Sequence, residues 1–201
     1  KYDRYPHFFH HLKRQWPTAL TISIADWPPI HEYILSGADI KRVPDEDQLY
    51  VPGDRQSAEE AAEFFQRQDP AAMFVYFGQV DEHGHKFGFS PTVPEYIAAI
   101  ERVDAHVGTL VTALRKRPHF QEENWLILVS SDHGGRGRDH GKGLGVPEIM
   151  NSFMIASGAA AARGEIPGTT YLVEVPCTAL THLGVKIDPA WQLDGKPVGL
   201  K

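Results

Sequence analysis

Two short stretches of the chain concentrate the side chains that could do chemistry. Residues 79–88 read QVDEHGHKFG, and residues 130–143 read SSDHGGRGRDHGKG. Their carboxylates and imidazoles form the ligand set that zinc, manganese and iron prefer. If the two stretches meet in the fold, they pool enough ligands for two metal ions a few ångströms apart. The candidate ligands of the two stretches are Asp81, His83, His85, Asp132, His133, Asp139 and His140.

These side chains are not equally strong candidates for metal ligands. Asp132 and His133 follow a predicted strand, where the alternation of side chains ends and both can turn toward one ion. The glycines around them let the backbone fold tightly around a ligand. We assign His83 and Asp139 to the surroundings of the site. Asp26 is assigned a capping or turn role, and the trio His7, His10 and His11 is assigned to a solvated helix turn.

The surrounding sequence alternates strand and helix patterns. Short apolar runs predict strands over residues 19–25, 72–77, 125–129 and 152–156. Apolar spacing predicts helices over residues 57–68, 94–116 and 176–183. Ser57 with Glu60, and Thr92 with Glu95, have the spacing of helix-capping pairs.

This alternation predicts an α/β fold, with a mostly parallel sheet and helices on both faces. The segment between residues 77 and 125 has the form of a strand-helix-strand crossover. Parallel strands present their carboxyl ends at one sheet edge, where open α/β sheets bind ligands. Since both stretches follow predicted strands, we expect them to converge there. We expect one domain spanning residues 1–201, incomplete at its N-terminus.

Composition narrows the classes of partner. The chain has 201 residues, 42% of them hydrophobic, and a formal net charge of −6. These are globular values, and the negative charge argues against nucleic-acid and anionic-membrane partners. A small anionic substrate is still compatible, because a metal ion inverts the local field. The lone Cys177 excludes a disulfide within the chain. The sequence leaves the oligomeric state open.

The two stretches resemble the metal motifs of the alkaline phosphatase superfamily. Residues 81–88, DEHGHKFG, are similar to its D-x-x-G-H-x-x-G motif, and residues 131–135, SDHGG, to its SDHG segment. The nearest branch is the nucleotide pyrophosphatase/phosphodiesterase type, which is related to sulfatases and phosphonoacetate hydrolases. His140 falls where a further ligand is expected. The resemblance implies an alkaline phosphatase-like fold and covers most of the chain from about residue 15 onward.

That resemblance implies a two-metal hydrolase of phosphate mono- or diesters, with a small anionic phosphoester as substrate. Asp81, His85 and His140 would hold one ion, and Asp132 with His133 the other. Zinc is the first candidate, and manganese and iron also fit. The alternatives are a sulfatase, a phosphonate hydrolase or a non-catalytic metal-binding domain. A further alternative is a pH-responsive polar loop without metal.

The sequence departs from the family pattern at the nucleophile. Such enzymes use a Thr or Ser nucleophile that follows a strand ending in Asp and forms a covalent intermediate. No such segment precedes the first motif, so we expect it upstream of Lys1. The chain is therefore expected to be a C-terminal fragment that is inactive alone. A signal peptide in the preceding segment would place the protein in the periplasm or outside the cell.

Overall fold

The computed structural model describes residues 5–44, 53–141, 143 and 145–201. Lys1, upstream of which the nucleophile is expected, lies outside these residues. The helices are α1 (Phe8–Gln15), α2 (Asp54–Arg67), α3 (Gln79–Phe87), α4 (Pro94–Arg115), α5 (Pro147–Met150) and α6 (Glu174–His182). A π-helical turn spans Ile30–Ile34, and a 3-10 turn spans Pro189–Trp191. The strands are β1 (Thr21–Ile24), β2 (Ile40–Arg42), β3 (Ala72–Val75), β4 (Leu126–Ser130) and β5 (Met154–Gly158).

A parallel sheet with the order β2-β1-β3 lies at the centre of the fold. The central strand is buried along its whole length because helices cover both of its faces. On one face, Ile22 and Ile24 pack with Ala61 of α2 and Leu110 of α4. On the other face, a second cluster forms around Phe9 of α1 and the π-helical turn. The α/β architecture with a parallel sheet is therefore confirmed for β1 and β3, while β2 lies where the sequence predicted no strand.

The last two strands depart from the predicted parallel arrangement. β4 pairs antiparallel with β5, in a register that places Leu126 opposite Gly158. A parallel partner would need a crossover that returns the chain to the opposite end of β4. The connection over residues 131–153 instead contains the glycine-rich stretch and the four-residue helix α5. The first residue of β5, Met154, therefore pairs with the last residue of β4, Ser130. The apolar pattern of a strand does not encode this direction.

Both predicted capping pairs are wrong. Helix α2 begins at Asp54, so Ser57 lies buried inside the helix rather than at its end. At α4 the residue before the helix is Val93, and no side chain caps the terminus. Thr92 N instead donates a hydrogen bond to Ser90 Oγ at 3.2 Å. The spacing of a capping pair therefore did not identify the cap of either helix, although the predicted start of α4 at residue 94 is confirmed.

The histidine trio of α1 is also placed differently from the prediction. His10 is exposed as expected, but His11 is buried, with 3% of its surface exposed. Its ring packs on that of Trp191 with the centroids 4.0 Å apart. His7 is half-buried, and its Nε2 accepts a hydrogen bond from Gly37 N at 3.3 Å. This segment therefore packs against other parts of the fold.

No helix among the described residues has the length and hydropathy needed to cross a bilayer.

Candidate metal centre

Residues 79–87 form a helix that is not among the helices predicted from the sequence. Helix α3 begins after Gly78 and ends before Gly88, whose φ of 121° is rarely adopted by residues with a side chain. Asp81 and His85 are four residues apart and therefore share one face of the helix. The distance from His85 Nε2 to Asp81 Oδ2 is 3.4 Å. The helix thus presents one carboxylate and one imidazole in the same direction.

The glycine-rich stretch after β4 is a loop that folds back onto α3. Residues 136–139 form a tight turn closed by a pair of backbone hydrogen bonds. Phe89 N donates to Gly137 O at 2.7 Å. His85 Nδ1 donates to Arg138 O at 2.9 Å. The two stretches that the sequence separates by about fifty residues are therefore joined directly, at the carboxyl ends of β3 and β4.

One aromatic ring fills the space that two glycines leave at this junction. A Cβ atom at Gly84 would lie 2.2 Å from Phe89 Cε1, and one at Gly135 would lie 2.2 Å from Phe89 Cγ. The Phe89 ring meets the rings of His85 and His140 edge-on, at centroid distances of 5.4 Å and 6.2 Å. Phe89 therefore packs as an apolar side chain beside the two imidazoles. Its close approach requires glycine at both position 84 and position 135.

The tightest group of ligand atoms takes residues from both stretches. One oxygen of Asp81 and one ring nitrogen each of His133 and His140 lie within 4.8 Å of one another. Asp81 Oδ1 lies 3.5 Å from His140 Nε2. The His133 ring stacks on the His140 ring, with centroids 3.9 Å apart. All three residues are half-buried, so they are reachable from solvent but partly shielded from it.

The hydrogen bonds around these side chains leave the ligand atoms available. His133 Nδ1 donates to Gly134 O at 2.9 Å, and His85 Nδ1 donates to Arg138 O at 2.9 Å. Because a carbonyl only accepts, Nδ1 carries the proton in the neutral form of each ring, and Nε2 is the nitrogen with a lone pair for a metal. Asp81 Oδ1 is buried and accepts no hydrogen bond from the described residues. An uncompensated buried carboxylate oxygen facing imidazole nitrogens fits a cation site.

The spacing of these atoms fits as well. Two ligand atoms bound to a tetrahedral zinc ion at about 2.1 Å are about 3.4 Å from each other. The Asp81 carboxylate lies 3.4 Å from His85 Nε2 and 3.5 Å from His140 Nε2. Both separations are too long for good hydrogen bonds. Each separation matches that of two ligands on one ion, with Asp81 Oδ2 facing His85 and Asp81 Oδ1 facing His140.

The five predicted ligands lie in one region, but their grouping differs from the one that the resemblance implies. The resemblance assigns His133 with Asp132 to a separate ion, yet His133 stacks on His140 in the tightest group. The Asp132 side chain is 71% exposed, and its Oδ2 lies 3.7 Å from His133 Nε2. His85 adjoins the group through Asp81. Asp132 is therefore the candidate ligand with the fewest constraints on its side chain.

The residues assigned to the surroundings lie beside the cluster. His83 Nδ1 donates to Gln79 O within α3 at 2.7 Å, and His83 Nε2 accepts from Arg102 Nη2 of α4 at 3.0 Å. Asp139 is exposed and accepts from Gly141 N at 2.8 Å, which lowers the pKa of its carboxyl. Asp26 is 5% exposed at the end of β1, more deeply buried than an ordinary turn residue.

Tyr76 is a residue of the site that the motifs do not reveal. It follows β3 directly, and burial raises the pKa of its phenol above the ordinary value. Nearby carboxylates raise that pKa further, so the hydroxyl stays protonated across the physiological range. The carboxylates that contribute are those of Asp132, Asp26, Asp81 and Asp54. The Tyr76 hydroxyl therefore interacts electrostatically with carboxylates of both motifs, Asp81 and Asp132.

Comparisons with known proteins place the chain in a family. The family described as type I phosphodiesterase / nucleotide pyrophosphatase matches residues 9–143, a span that includes every candidate ligand. Among similar curated proteins are the ectonucleotide pyrophosphatase/phosphodiesterase family members 7 of Rattus norvegicus and Mus musculus. Each is 29% identical over 80 residues. The matched region covers 40% of this chain and 17% of each relative.

Proposed function

The chain belongs to the type I phosphodiesterase / nucleotide pyrophosphatase family, and from that premise we propose that its Asp/His cluster is a metal centre for phosphoester hydrolysis. The observation that carries the proposal is the convergence of Asp81, His133 and His140 within 4.8 Å. We propose two divalent ions, zinc first, with manganese or iron as alternatives. The proposed ligands are Asp81, His85, Asp132, His133 and His140.

Asp81, His85, His133 and Phe89 have distinct parts in the proposed centre. A divalent ion bound here would neutralise charge at the phosphoryl oxygens and would lower the pKa of an attacking hydroxyl. Asp81 brings the negative charge that retains the cation. The carbonyls of Arg138 and Gly134 hold His85 and His133 in the tautomer that exposes Nε2. Phe89 excludes water from one side of the imidazoles.

The substrate class follows from the family. A phosphate mono- or diester is a small anion whose negatively charged phosphoryl oxygens a cationic centre would attract. The family description names phosphodiesterase and nucleotide pyrophosphatase, which favours this class over sulfate esters and phosphonates. A metal-binding domain without catalysis is the remaining alternative.

Metal stoichiometry tests the site itself. After equilibration with zinc and desalting, we expect elemental analysis to find about one to two ions per chain. The variants Asp81→Asn, Asp132→Ala and His133→Ala should each lose bound zinc. His119→Ala is the matched control, because His119 is 72% exposed and pairs only loosely with Glu122 at 3.6 Å. Unchanged stoichiometry in all three site variants would end the ligand assignment.

Ligand binding separates the substrate classes. It is a better readout than turnover, because the matched region covers 17% of the relatives' length. By calorimetry, adenosine monophosphate should bind the zinc-loaded chain and not the chelated one, and Asp81→Asn should abolish this binding. Tighter binding of sulfate would favour the sulfatase alternative. A zinc-loaded chain that binds neither anion would favour a non-catalytic metal domain.

A further inference from the structure

Asp54 is a buried carboxylate that the proposed chemistry does not use. It is the first residue of α2, and none of its surface is exposed to solvent. Burying a carboxylate is costly unless its oxygens are hydrogen-bonded. Desolvation raises the pKa of Asp54 above its ordinary value, while hydrogen bonds from Gly78 and Gln79 act in the opposite direction. The hydrogen bonds from Gly78 and Gln79 therefore offset the cost of burying the Asp54 carboxylate.

Those partners are the backbone N–H groups at the start of α3. Asp54 Oδ1 accepts from Gly78 N at 2.8 Å, and Oδ2 accepts from Gln79 N at 3.2 Å. The first N–H groups of a helix have no partner within the helix, and a negative charge is favourable at this end. Asp54 thus caps α3 from another helix. It joins the N-termini of α2 and α3 through one carboxylate.

A second clamp holds the same turn of α3 from the side of α4. Gln79 is buried, and its Oε1 accepts from Arg102 Nε at 2.6 Å. Arg102 Nη2 also donates to His83 Nε2 at 3.0 Å, and His83 Nδ1 donates to Gln79 O at 2.7 Å. These three side chains form a closed network, which we call the Gln79 clamp. With Asp54, it fixes both the start and the rotation of α3.

We propose that Asp54 is the positioning residue of the metal centre, and that the Gln79 clamp assists it. Asp81 lies two residues after Gln79, and one residue of slip rotates a helix by about 100°. Such a rotation would turn Asp81 away from His140, to which its Oδ1 is 3.5 Å distant. The carboxylate of Asp54 thus acts on the metal through the helix without touching it. This inference rests on the proposed function.

Zinc affinity of the folded chain tests the proposal, with Asp54→Asn as the variant. An amide keeps the volume but turns an N–H₂ toward one of the two donors, so α3 loses part of its cap. We expect zinc to bind about tenfold more weakly, in the range found for residues that orient metal ligands. The absorption spectrum of the cobalt-substituted variant should change as well, because it reports the geometry of the ligands.

Asp39→Asn is the matched control. Asp39 also accepts a backbone N–H, that of Thr21 at 2.8 Å, but at the opposite end of β1 from the site. It should lose stability without losing zinc affinity or altering the cobalt spectrum. Equal loss of affinity in both variants would mean that the effect is general destabilisation, and the positioning role would be rejected.

Arg102→Gln is the second variant, for use if Asp54→Asn does not fold. It opens the Gln79 clamp and should weaken zinc binding severalfold, whereas Arg67→Gln, which removes an exposed pair with Glu63, should not. Wild-type affinity in folded variants overturns the positioning role and leaves the metal centre intact. A wild-type chain that binds no zinc overturns both the metal centre and this role.

Discussion

Gly84 and Gly135 contribute to the candidate metal centre because neither has a side chain. Each lies so close to Phe89 that a Cβ atom would overlap its ring. The helical position of Gly84 makes the requirement testable, because alanine is otherwise the better helix former.

We predict opposite effects for the same substitution in two helices. Gly84→Ala should destabilise the chain by about 1–3 kcal/mol, the range for overpacking. Gly108→Ala, in helix α4, should stabilise it by about 0.5–1 kcal/mol, since nothing lies within 4 Å of the added methyl group. Urea unfolding of both variants measures the difference.

A double variant identifies the cause of the Gly84 effect. In a Phe89→Ala background the ring is gone, so Gly84→Ala should no longer cost stability. If Gly84→Ala stabilises the wild-type chain as Gly108→Ala does, the ring does not constrain this glycine. Packing against Phe89 would then not explain why the first motif has a glycine at this position.

The sequence predicted residue types at the site better than residue partners. Asp81, His85, Asp132, His133 and His140 could be selected because carboxylates and imidazoles cluster after two predicted strands. Their pairing could not, since it depends on side-chain rotation: His133 stacks on His140, while Asp132 is exposed. Asp54 was missed because a capping residue 24 positions before the N–H group that it caps has no local signature.

Arg117 shows how the elements behind the site are held together. Its side chain is 6% exposed, and it lies just after α4. Its guanidinium donates to Gln68 O at 2.9 Å, at the end of α2, and to Glu123 Oε1 at 2.8 Å, shortly before β4. One cation therefore ties two helices to the strand that leads into the glycine-rich loop.

This arrangement makes stability depend on acid pH. The hydrogen bond from Arg117 lowers the pKa of Glu123 to about 2, from an ordinary value of 4.5. The stabilisation from Glu123 is therefore complete above pH 4.5 and is lost as the pH falls toward 2. Glu123→Gln should lower the free energy of unfolding by about 2 kcal/mol at pH 7 and by much less at pH 2.5.

Chemical unfolding at the two pH values checks this prediction. Glu122→Gln is the matched control, because the Glu122 side chain is 79% exposed and should affect stability little at either pH. A cost for Glu123→Gln that stays the same at both pH values would show that the carboxylate charge is not what Arg117 needs.

Element prediction succeeded where the pattern was local. Each predicted strand lies within two residues of the observed one. Helix α3 was missed because Gly84 and Gly88 suggest a loop, and the interactions that stabilise the helix come from Asp54 and Arg102 on other helices. Long-range hydrogen bonds decided the conformation there, and local sequence patterns do not contain them.

At the scale of the whole molecule, the candidate centre connects two sheets that share no strand among the described residues. β1, β2 and β3 form the parallel sheet, and β4 with β5 forms the antiparallel pair. Asp81 follows the first sheet, whereas His133 and His140 follow β4. The antiparallel pairing was not predictable from the sequence, because strand patterns define faces rather than directions.

Metal binding should therefore stabilise the molecule as a whole. An ion held by Asp81, His133 and His140 would bind the folded chain and not the unfolded one, since these residues come together only on folding. At a free zinc concentration one hundred times the Kd, the gain is about 2.7 kcal/mol. For a domain of this size, that corresponds to a rise in Tm of about 5–10 °C. Thermal unfolding with zinc and with excess chelator measures this rise.

The same experiment on two histidine variants locates the effect. His140→Ala should remove most of the rise in Tm, because His140 joins the glycine-rich loop to Asp81 across 3.5 Å. His119→Ala should keep the full rise, since His119 lies on an exposed turn after α4. An equal rise in both variants would place the zinc elsewhere on the chain. The junction between the two sheets would then depend on the Phe89 packing and backbone hydrogen bonds alone.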